Sequence, residues 1–501
     1  MSLNPDDFEE ARQSRDPRFD GRFFVGVLTT GIYCRPVCPV KVPRKENVQL
    51  YPTAAAAATA GFRPCLRCRP ESSPGTPAWA GSSWKVSRAL QLIDQGMLDN
   101  GKVATLAAEL EVGPRQLNRL FREHIGATPV EVAQTRRLHF AKKLIDETDM
   151  SLSDVCFAAG FGSVRRFNAV FNKTYARSPG ELRKSGNRRA ARPDGSAGAG
   201  SVRLSLSFRP PFDWQACLDF LAYRAIPGVE VVSANSYART IAIDGYHGHF
   251  VAQFSEGSNA LQLQIDFPKS RYLYQIIDRV RSIFDLRADS EQIEQHLIQD
   301  PCLRRVVKRN PGLRVPGCWD GLEVAVRAIL GQQVTVKAAS TLVARVVAKY
   351  GQAYSCDQAA LTRVFPVASE LADGTLDGLG IVSARIAAIQ SVARLVADGE
   401  LDISCHTATE EFIERICQCK GIGAWTAHYI AMRALDDPNA FPHSDLILRR
   451  AAAEPGATLT PRQLLNLAEP WQPWRAYAVL YLWKKYQQSV RGKSIKKEGK
   501  K

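Results

Sequence analysis

The chain has 501 residues, 45% hydrophobic residues and a formal net charge of +16 at pH 7. This length predicts two to four domains rather than a single core, and the positive charge favours a polyanionic partner such as nucleic acid. The sequence has no run of about 18 apolar residues, which excludes a membrane span, and its polar start, MSLNPDDFEEARQSRD, argues against a signal peptide.

The first motif is a set of four cysteines in two short pairs. Cys34 and Cys38 lie in GIYCRPVCPV, and Cys65 and Cys68 lie in GFRPCLRCRP, with the spacing C-x3-C-x26-C-x2-C. Zinc prefers four tetrahedral ligands, and thiolates are good ones. The spacing predicts one zinc ion held by all four cysteines, and taken alone it favours a purely structural zinc. A disulfide framework is disfavoured in a chain without a secretion signal.

The segments around these cysteines, TTGIYCRPVCP, ENVQLY and AGFRPCLRCRP, resemble the N-terminal domain of the bacterial Ada family. This resemblance covers most of residues 5–72 and implies that Cys34 accepts a methyl group from a methylated DNA phosphate. Methylation would remove one negative charge from the metal–sulfur cluster, so affinity for DNA should rise. Residues 1–75 are therefore expected to form a small α/β zinc-binding methyl-acceptor domain. The arginines expected to offset the remaining negative charge are Arg35, Arg63, Arg67 and Arg69.

Residues 82–184 are predicted to be all-α and contain an internal repeat. RQLNRLFREHIGATPVE at 115–131 aligns with RRFNAVFNKTYARSPGE at 165–181, and each copy follows a helical stretch and a glycine. This helix-turn-helix pattern, occurring twice in a basic region, favours binding to double-stranded DNA. The region resembles the tandem helix-turn-helix domain of AraC-type transcription regulators, which makes RNA polymerase a candidate partner.

That resemblance implies that, in each copy of the repeat, one face of the second helix points toward a DNA groove. The alternative is that this face is only solvated. The residues of this face are Arg115, Gln116, Asn118, Arg119, Ser163, Arg165, Arg166 and Asn168. The residues expected in the core are Leu117, Leu120, Phe121, Phe167, Val170 and Phe171. The Gly-, Ala- and Arg-rich segment at 185–201 predicts a flexible linker, and residues 491–501 predict a basic, solvated tail.

Three features of the C-terminal region point to one class of enzyme. QCKGIGAWTAHYIAMRAL at 418–435 contains a G-I-G turn between two predicted helices, AFPHSDLILRR at 440–450 places Asp445 downstream, and PWQPWRAYAVLYLW at 470–483 is dense in aromatic residues. Together they resemble the helix-hairpin-helix DNA glycosylases, most closely the AlkA type. The resemblance covers about 203–488 and implies a small α+β subdomain at 202–310 and a helical glycosylase bundle at 311–490.

The resemblance assigns catalysis to Asp445. A carboxylate there would stabilise the oxocarbenium character that develops on the sugar and position a water. An N-cap is the alternative role, because LILRRAAA follows as a predicted helix. The competing acids, Asp436 and Asp437, precede a proline and are expected at the surface. The pocket for the extruded base would use Phe220, Trp425, Tyr429 and Trp483. Core packing is the alternative for each of these aromatic residues except Trp425.

The remaining predicted contacts involve DNA. Backbone N–H groups of the hairpin at Gly421 and Gly423 can hold a phosphate, with help from a monovalent cation. Gln333, in LGQQVTV, aligns with the residue that fills the space left by the flipped base, where AlkA has leucine. Trp425 stands where lyase-type relatives have lysine, so no Schiff base is expected. The resemblance implies a monofunctional glycosylase acting on 3-methyladenine and 7-methylguanine.

The segment PCLRRV at 301–306 is a misleading match. It is similar to the PCHRV active site of the guanine methyltransferases that Ada proteins often carry, but Leu303 replaces the activating histidine. Cys302 is therefore predicted to be unreactive.

The sequence as a whole predicts a multidomain, mainly α-helical protein of the bacterial cytoplasm and nucleoid, acting as a monomer on alkylated DNA. One alternative is a transcription regulator whose glycosylase-like part only binds DNA. Another is a repair enzyme whose zinc is only structural.

Overall fold

The computed structural model describes residues 5–74, 84–94, 96–185, 201–255, 257–404 and 407–498. The chain divides into two compact units. The first comprises residues 1–210, 243–281 and 286–288, and the second comprises residues 211–242, 282–285 and 289–501. Among the described helices, none has both the length and the apolar composition needed to cross a bilayer.

The cysteine-bearing region is a small four-stranded sheet with two helices. Its elements are α1 (Pro5–Ser14), β1 (Phe24–Val27), β2 (Ile32–Cys34), β3 (Val48–Tyr51), α2 (Ala54–Thr59) and β4 (Arg63–Pro64), with the strand order β3-β1-β2-β4. Strands β2 and β4 are parallel, with Tyr33 opposite Pro64. Because β2 ends at Cys34 and β4 runs into Cys65, this pairing brings the two cysteine pairs together. The mixed α/β fold agrees with the prediction for this region.

The next region is entirely helical. Its elements are α3 (Trp84–Asp94), α4 (Met97–Asn100), α5 (Val103–Glu109), α6 (Pro114–His124), α7 (Pro129–Glu147), α8 (Leu152–Ala158), α9 (Val164–Tyr175) and α10 (Pro179–Ser185). The pairs α5–α6 and α8–α9 are the two copies of the sequence repeat. Leu117 and Phe121 of α6 are fully buried, as are Phe167 and Phe171 of α9, whereas Leu120 and Val170 are only partly buried.

The predicted α+β region follows. Its elements are β5 (Ser201–Ser207), α11 (Trp214–Ala222), β6 (Glu230–Val232), β7 (Ser236–Ile243), β8 (Tyr246–Phe254), β9 (Ala260–Asp266) and α12 (Leu273–Ile283). In the first unit β9 pairs with both β5 and β8, and in the second unit β6 pairs with β7. Strand β5 runs antiparallel to β9 from Ser201, opposite Asp266, to Ser207, opposite Ala260. The predicted linker at 185–201 lies almost wholly outside the described residues.

The rest of the second unit is helical. Its elements are α13 (Ser290–Leu297), α14 (Pro301–Arg309), α15 (Gly321–Leu330), α16 (Val336–Tyr350), α17 (Ala368–Asp373), α18 (Ser383–Ala397), α19 (Thr409–Cys417), α20 (Ala424–Ala434), α21 (Leu446–Ala452), α22 (Pro461–Leu467) and α23 (Arg475–Glu498). Helix α15 is buried on nearly all its faces and is central to the bundle. The backbone of α23 continues to Glu498, into the segment predicted to be a tail.

Candidate functional site

The four cysteines form a metal centre. Their sulfur atoms all lie within 4.8 Å of one another, and all four residues are buried. A tetrahedral zinc ion with Zn–S bonds of about 2.3 Å needs sulfur atoms about 3.8 Å apart, which this cluster approaches. The donor set is all thiolate, as in structural zinc sites. Cys34, Cys38, Cys65 and Cys68 therefore fit one zinc ion, in agreement with the sequence prediction.

The four sulfurs differ in their surroundings. The backbone N–H of Arg35 donates to Cys68 Sγ at 3.3 Å, and the amides of Val40 and Cys68 approach the thiols of Cys38 and Cys65. Amide donors withdraw electron density from the thiolates that they contact.

The arginines near the cluster correct one expectation from the sequence. Arg35 forms an ion pair with Asp20, and Arg69 lies 3.1 Å from carboxylate oxygens of both Asp146 and Glu147. These two guanidinium groups are therefore engaged by carboxylates of the protein. The side chains of Arg63 and Arg67 are exposed, so they are the two of the four that can meet a DNA phosphate.

Loss of one sulfur ligand should empty the metal centre. We expect Cys65→Ser to lower bound zinc well below one ion per chain and to destabilise the region around it, because the apolar clusters there are small. Elemental analysis of the purified protein, combined with thermal unfolding, measures both effects. Cys417→Ser is the matched control, because Cys417 is exposed on α19 and lies outside the cluster. Full zinc occupancy in Cys65→Ser would contradict the assignment.

The predicted groove-facing side chains of the two helix-turn-helix copies lie on exposed surface. Arg115, Gln116 and Arg119 of α6 are exposed, and so are Arg165, Arg166 and Asn168 of α9. Asn118 is partly buried and donates to Pro114 O. Ser163 caps α9 by accepting from Arg166 N at 3.2 Å. The two copies thus expose side chains at equivalent helical positions, and the arginine at the start of each helix, Arg115 or Arg165, is common to both.

Asp445 caps a helix and contacts one of the predicted pocket aromatics. It is the N-cap of α21, where its Oδ1 accepts from Leu448 N at 2.9 Å. Its Oδ2 accepts from Trp425 Nε1, also at 2.9 Å. The cap predicted from the sequence is therefore present, and it uses only one of the two carboxylate oxygens. The competing acids Asp436 and Asp437 are partly buried rather than at the surface, and burial raises the pKa of Asp437.

Three of the four predicted pocket aromatics lie together. The rings of Trp425 and Tyr429 stack at 5.5 Å between centroids with an interplanar angle of 9°. They are four residues apart on α20, which places them on one helix face. Trp483 of α23 lies 6.5 Å from Tyr429. This aromatic wall is joined to Asp445 through the indole N–H of Trp425.

The fourth aromatic, Phe220, already has cationic partners. Arg224 lies 3.7 Å from the centre of its ring and Arg433 lies 5.0 Å from it. Arg433 also donates to Tyr429 Oη at 3.3 Å. Burial alone would raise the pKa of Tyr429, but the charges of Arg433 and Arg224 more than offset it and lower the pKa to about 7.

Sequence reasoning missed these two arginines. A signal was available, because Arg224 follows Phe220 by four residues and Arg433 follows Tyr429 by four, which is the spacing of helix neighbours. Two carboxylates, Glu230 and Glu323, line the same cavity as the arginines. Glu323 forms a buried ion pair with Arg239 at 2.7 Å, so part of the positive charge in this region is neutralised.

The loop that carries Gln333 is fixed to the hairpin. Gln333 is exposed and has a left-handed backbone with φ of 56°. The adjacent Gln332 donates through Nε2 to Gly421 O at 2.9 Å and to Thr426 Oγ1 at 3.1 Å, and Arg385 donates to Gln332 O. Gln332, which the sequence did not single out, thus fixes the neighbouring Gln333 beside the turn at Gly421 and Gly423, where a phosphate is predicted to bind.

The backbone of the turn at Gly421 and Gly423 is accessible to a ligand. Gly421 has a φ of 91°, a conformation that other residues rarely adopt. Gly423 is the N-cap of α20 and has no side-chain cap, and a Cβ added at this residue would meet no atom within 4 Å. A phosphate oxygen can therefore approach the first N–H groups of α20.

Cys302 is partly buried. Burial raises the pKa of its thiol, whereas Lys485 Nζ, 3.5 Å from the sulfur, acts in the opposite direction. That PCLRRV is not a methyl-acceptor site stays a prediction.

Comparison with known proteins gives three family matches and several relatives. The metal binding domain of Ada matches residues 7–71, a helix-turn-helix domain matches 106–185, and the AlkA N-terminal domain matches 203–320. The chain is 42% identical to the probable bifunctional transcriptional activator/DNA repair enzyme AlkA of Mycobacterium tuberculosis, over 95% of this chain and 96% of that protein.

Two further comparisons each cover 56% of this chain. DNA-3-methyladenine glycosylase 2 of Escherichia coli is 33% identical over 56% of this chain and 96% of its own length. A solved 3-methyladenine DNA glycosylase from Archaeoglobus fulgidus covers 56% of this chain and 96% of its own, with a TM-score of 0.50 and 22% identity. The similarity to the Archaeoglobus fulgidus structure indicates that the two proteins share a fold over this part of the chain.

Proposed function

The chain belongs to the family of the probable bifunctional transcriptional activator/DNA repair enzyme AlkA of Mycobacterium tuberculosis, and on this basis we propose that it senses and repairs alkylated DNA. Its N-terminal part transfers a methyl group from a DNA methylphosphotriester to Cys34 and regulates transcription. Its C-terminal part hydrolyses the N-glycosidic bond of alkylated bases, including 3-methyladenine and 7-methylguanine.

The observation that carries the glycosylase assignment is the 2.9 Å hydrogen bond between Trp425 Nε1 and Asp445 Oδ2. It places a carboxylate at the edge of an aromatic wall that can stack on an extruded base. As the glycosidic bond breaks, positive charge develops on the sugar, and the Asp445 carboxylate stabilises it and orients the attacking water. The departing base is already cationic when alkylated, so it leaves without needing a proton.

The aromatic wall supports a preference for electron-poor bases. Trp425 and Tyr429 present parallel rings, on which a cationic purine gains a cation–π contribution. The positive charges of Arg433 and Arg224 lower the pKa of Tyr429, which favours the phenolate form, and a phenolate ring is more electron-rich than a phenol. Normal bases lack the positive charge and gain less from this wall.

The turn at Gly421 and Gly423 and the loop that carries Gln333 position the DNA. N–H groups at Gly421 and Gly423 bind a backbone phosphate, with a monovalent cation assisting. Gln333 enters the space left by the flipped nucleotide, where its amide can hydrogen-bond the orphan base. Gln332 and Arg385 support this role because they fix the loop to the hairpin.

Base removal proceeds without cutting the strand. A lyase needs an amine that forms a Schiff base with the sugar, and Trp425 occupies the position that carries lysine in lyase-type relatives. We expect no borohydride-trapped protein–DNA adduct on DNA with an abasic or alkylated site, as judged by denaturing electrophoresis. A glycosylase with the lysine serves as positive control. A trapped adduct in this protein would contradict the monofunctional assignment.

Methyl transfer at the N-terminal site follows from the chemistry of the thiolate. A zinc ion held by Cys34, Cys38, Cys65 and Cys68 would keep their thiols ionised at neutral pH. Cys34 Sγ attacks the methyl carbon of the triester, an S–C bond forms and an O–C bond breaks, and the phosphate regains its negative charge. The sulfur becomes a neutral thioether that is not regenerated, so each chain acts once. The exposed Arg63 and Arg67 then meet less competing negative charge, which strengthens binding to DNA.

The helix-turn-helix region converts this chemical event into transcription. The exposed faces of α6 and α9 read a promoter in successive major grooves, and RNA polymerase is the partner that such a regulator recruits. We place the active protein as a monomer in the bacterial cytoplasm, on the nucleoid, because its substrates are there. The domain boundaries 1–75, 82–184, 202–310 and 311–490 are part of this proposal.

One experiment separates this proposal from its alternatives. Methylated DNA is incubated with the protein, free bases are separated by chromatography, and the protein is digested for mass spectrometry. We expect free 3-methyladenine and 7-methylguanine together with a methylated peptide from residues 1–75. A regulator that only binds DNA through its C-terminal part releases no base. A repair enzyme with a purely structural zinc carries no methyl group on that peptide.

A further inference from the structure

A pair of side chains at the C-terminal end of α7 holds the backbone of strand β5. Lys143 Nζ donates to Ser205 O at 2.6 Å, and Ser205 N donates to Glu147 Oε2 at 2.9 Å. Lys143 and Glu147 are one helical turn apart and form an ion pair at 2.9 Å. The two side chains, here called the α7 clamp, therefore bind both polar backbone groups of a single residue.

The position of Ser205 explains why such a clamp is useful. Strand β5 lies at one edge of its sheet, and Ser205 stands opposite Gln262 of β9. An edge strand presents unpaired N–H and C=O groups on its outer side, and these need partners when they are covered by protein. The α7 clamp supplies one acceptor and one donor, as a neighbouring strand would.

The α7 clamp is continuous with the metal centre. Arg69, which directly follows the zinc ligand Cys68, lies 3.1 Å from a carboxylate oxygen of Glu147. Arg69 also has a left-handed backbone, with φ of 55°, a conformation that persists in a non-glycine residue only when its surroundings hold it. Its ion pairs with α7 provide that constraint.

A second set of charges reinforces the same contact. Lys142 lies 2.5 Å from Asp146 and 3.6 Å from Glu71, which belongs to the cysteine-bearing region. The side chains of Lys142, Lys143 and Glu71 are almost fully buried. Buried charges are costly unless they are paired, so these groups strongly disfavour any arrangement in which α7 separates from its neighbours.

We propose that the α7 clamp is an internal docking surface, which receives edge strand β5 and couples it to the metal centre through Arg69. The zinc region, the tandem helix-turn-helix region and this strand then behave as one cooperative body, and the chain between residues 185 and 201 is not their only connection. This coupling goes beyond the two proposed activities and does not depend on either of them.

Hydrogen exchange of single amides tests the docking in the full-length, zinc-loaded protein. In Glu147→Ala, the Ser205 amide loses its charged acceptor, and we expect it to exchange about ten- to a hundred-fold faster. The Leu206 amide faces β9, because successive residues of a strand alternate in direction, so it should change much less. Glu123→Ala is the matched control, because Glu123 is an exposed glutamate of the neighbouring helix α6.

A second set of exchange measurements tests the coupling between Ser205 and the metal centre. We expect zinc removal by a chelator, and separately Arg69→Ala, to accelerate exchange at Ser205, and we expect chelation to add little once Arg69 is absent. Equal Ser205 exchange in wild type and Glu147→Ala would overturn the docking. If Glu147→Ala fails to fold, Lys143→Met decides, because it keeps the buried stem and loses the donor to Ser205 O. Wild-type exchange at Ser205 in Lys143→Met would also overturn the proposal.

Discussion

Asp445→Asn is expected to lower the rate of methylated-base release by about 10²- to 10⁴-fold while leaving the protein folded and able to bind DNA. Asparagine is as good an N-cap as aspartate, so α21 should form normally. The substitution removes the negative charge that stabilises the developing cation on the sugar. It also replaces one of two accepting oxygens with a donor, although Leu448 N and Trp425 Nε1 each need an acceptor.

The measurement is single-turnover release of 3-methyladenine and 7-methylguanine, followed by chromatography, with DNA affinity determined on the same preparations. Glu454→Gln is the matched control, because Glu454 is an exposed carboxylate just beyond the same helix and its loss should leave the rate unchanged. Base release by Asp445→Asn at the wild-type rate would show that Asp445 serves only as a helix cap.

Cys34→Ser is expected to abolish methyl transfer from alkylated DNA, because a neutral hydroxyl is a far weaker nucleophile than a thiolate. The wild-type protein should gain the mass of a methyl group on the peptide that contains residue 34, and the variant should gain none on any peptide from residues 1–75. Base release by the variant should be unchanged, because the Asp445 site uses none of these cysteines.

The loss of a zinc ligand needs its own control in this experiment. Cys38→Ser removes a different ligand of the same cluster and keeps the Cys34 sulfur, and zinc content is measured in both variants. Residual methyl transfer in Cys38→Ser but not in Cys34→Ser would assign the acceptor role to Cys34. Methylation of another cysteine in Cys34→Ser would instead move the acceptor to that residue.

Much of the architecture was predictable because it depends on local spacing. Four cysteines in two short pairs indicated a zinc ion, and the structure brings their sulfurs together. The repeat predicted equivalent core positions, and Leu117 and Phe167 are both fully buried. The four-residue spacing of Trp425 and Tyr429 places both rings on one side of α20. Periodicity decides which side chains share a helix face, so these features can be read from the residues alone.

Most of the charged contacts could not be predicted in this way. Four arginines near the cysteines looked equivalent, yet Arg35 pairs with a carboxylate 15 residues away and Arg69 with one 78 residues away. Arg433 lies one turn from Tyr429 on α20, but Arg224 lowers the pKa of Tyr429 only because the fold brings the segment after α11 near that helix. An ion pair depends on which oppositely charged group the fold brings near, and a charged chain offers many partners of similar chemistry.

The order of regions, the metal ligands and the repeated helix-turn-helix units follow from the residues alone, and the resemblance to glycosylases adds Asp445 as the expected catalytic acid. The hydrogen bond from the indole of Trp425 to Asp445, and those of Lys143 and Glu147 with the backbone of Ser205, become visible only in the folded chain. The two kinds of feature differ in how far along the chain their causes reach. Helical periodicity and metal-ligand spacing act over a few residues, whereas a hydrogen bond between distant segments forms only after packing has fixed the distance and direction between donor and acceptor.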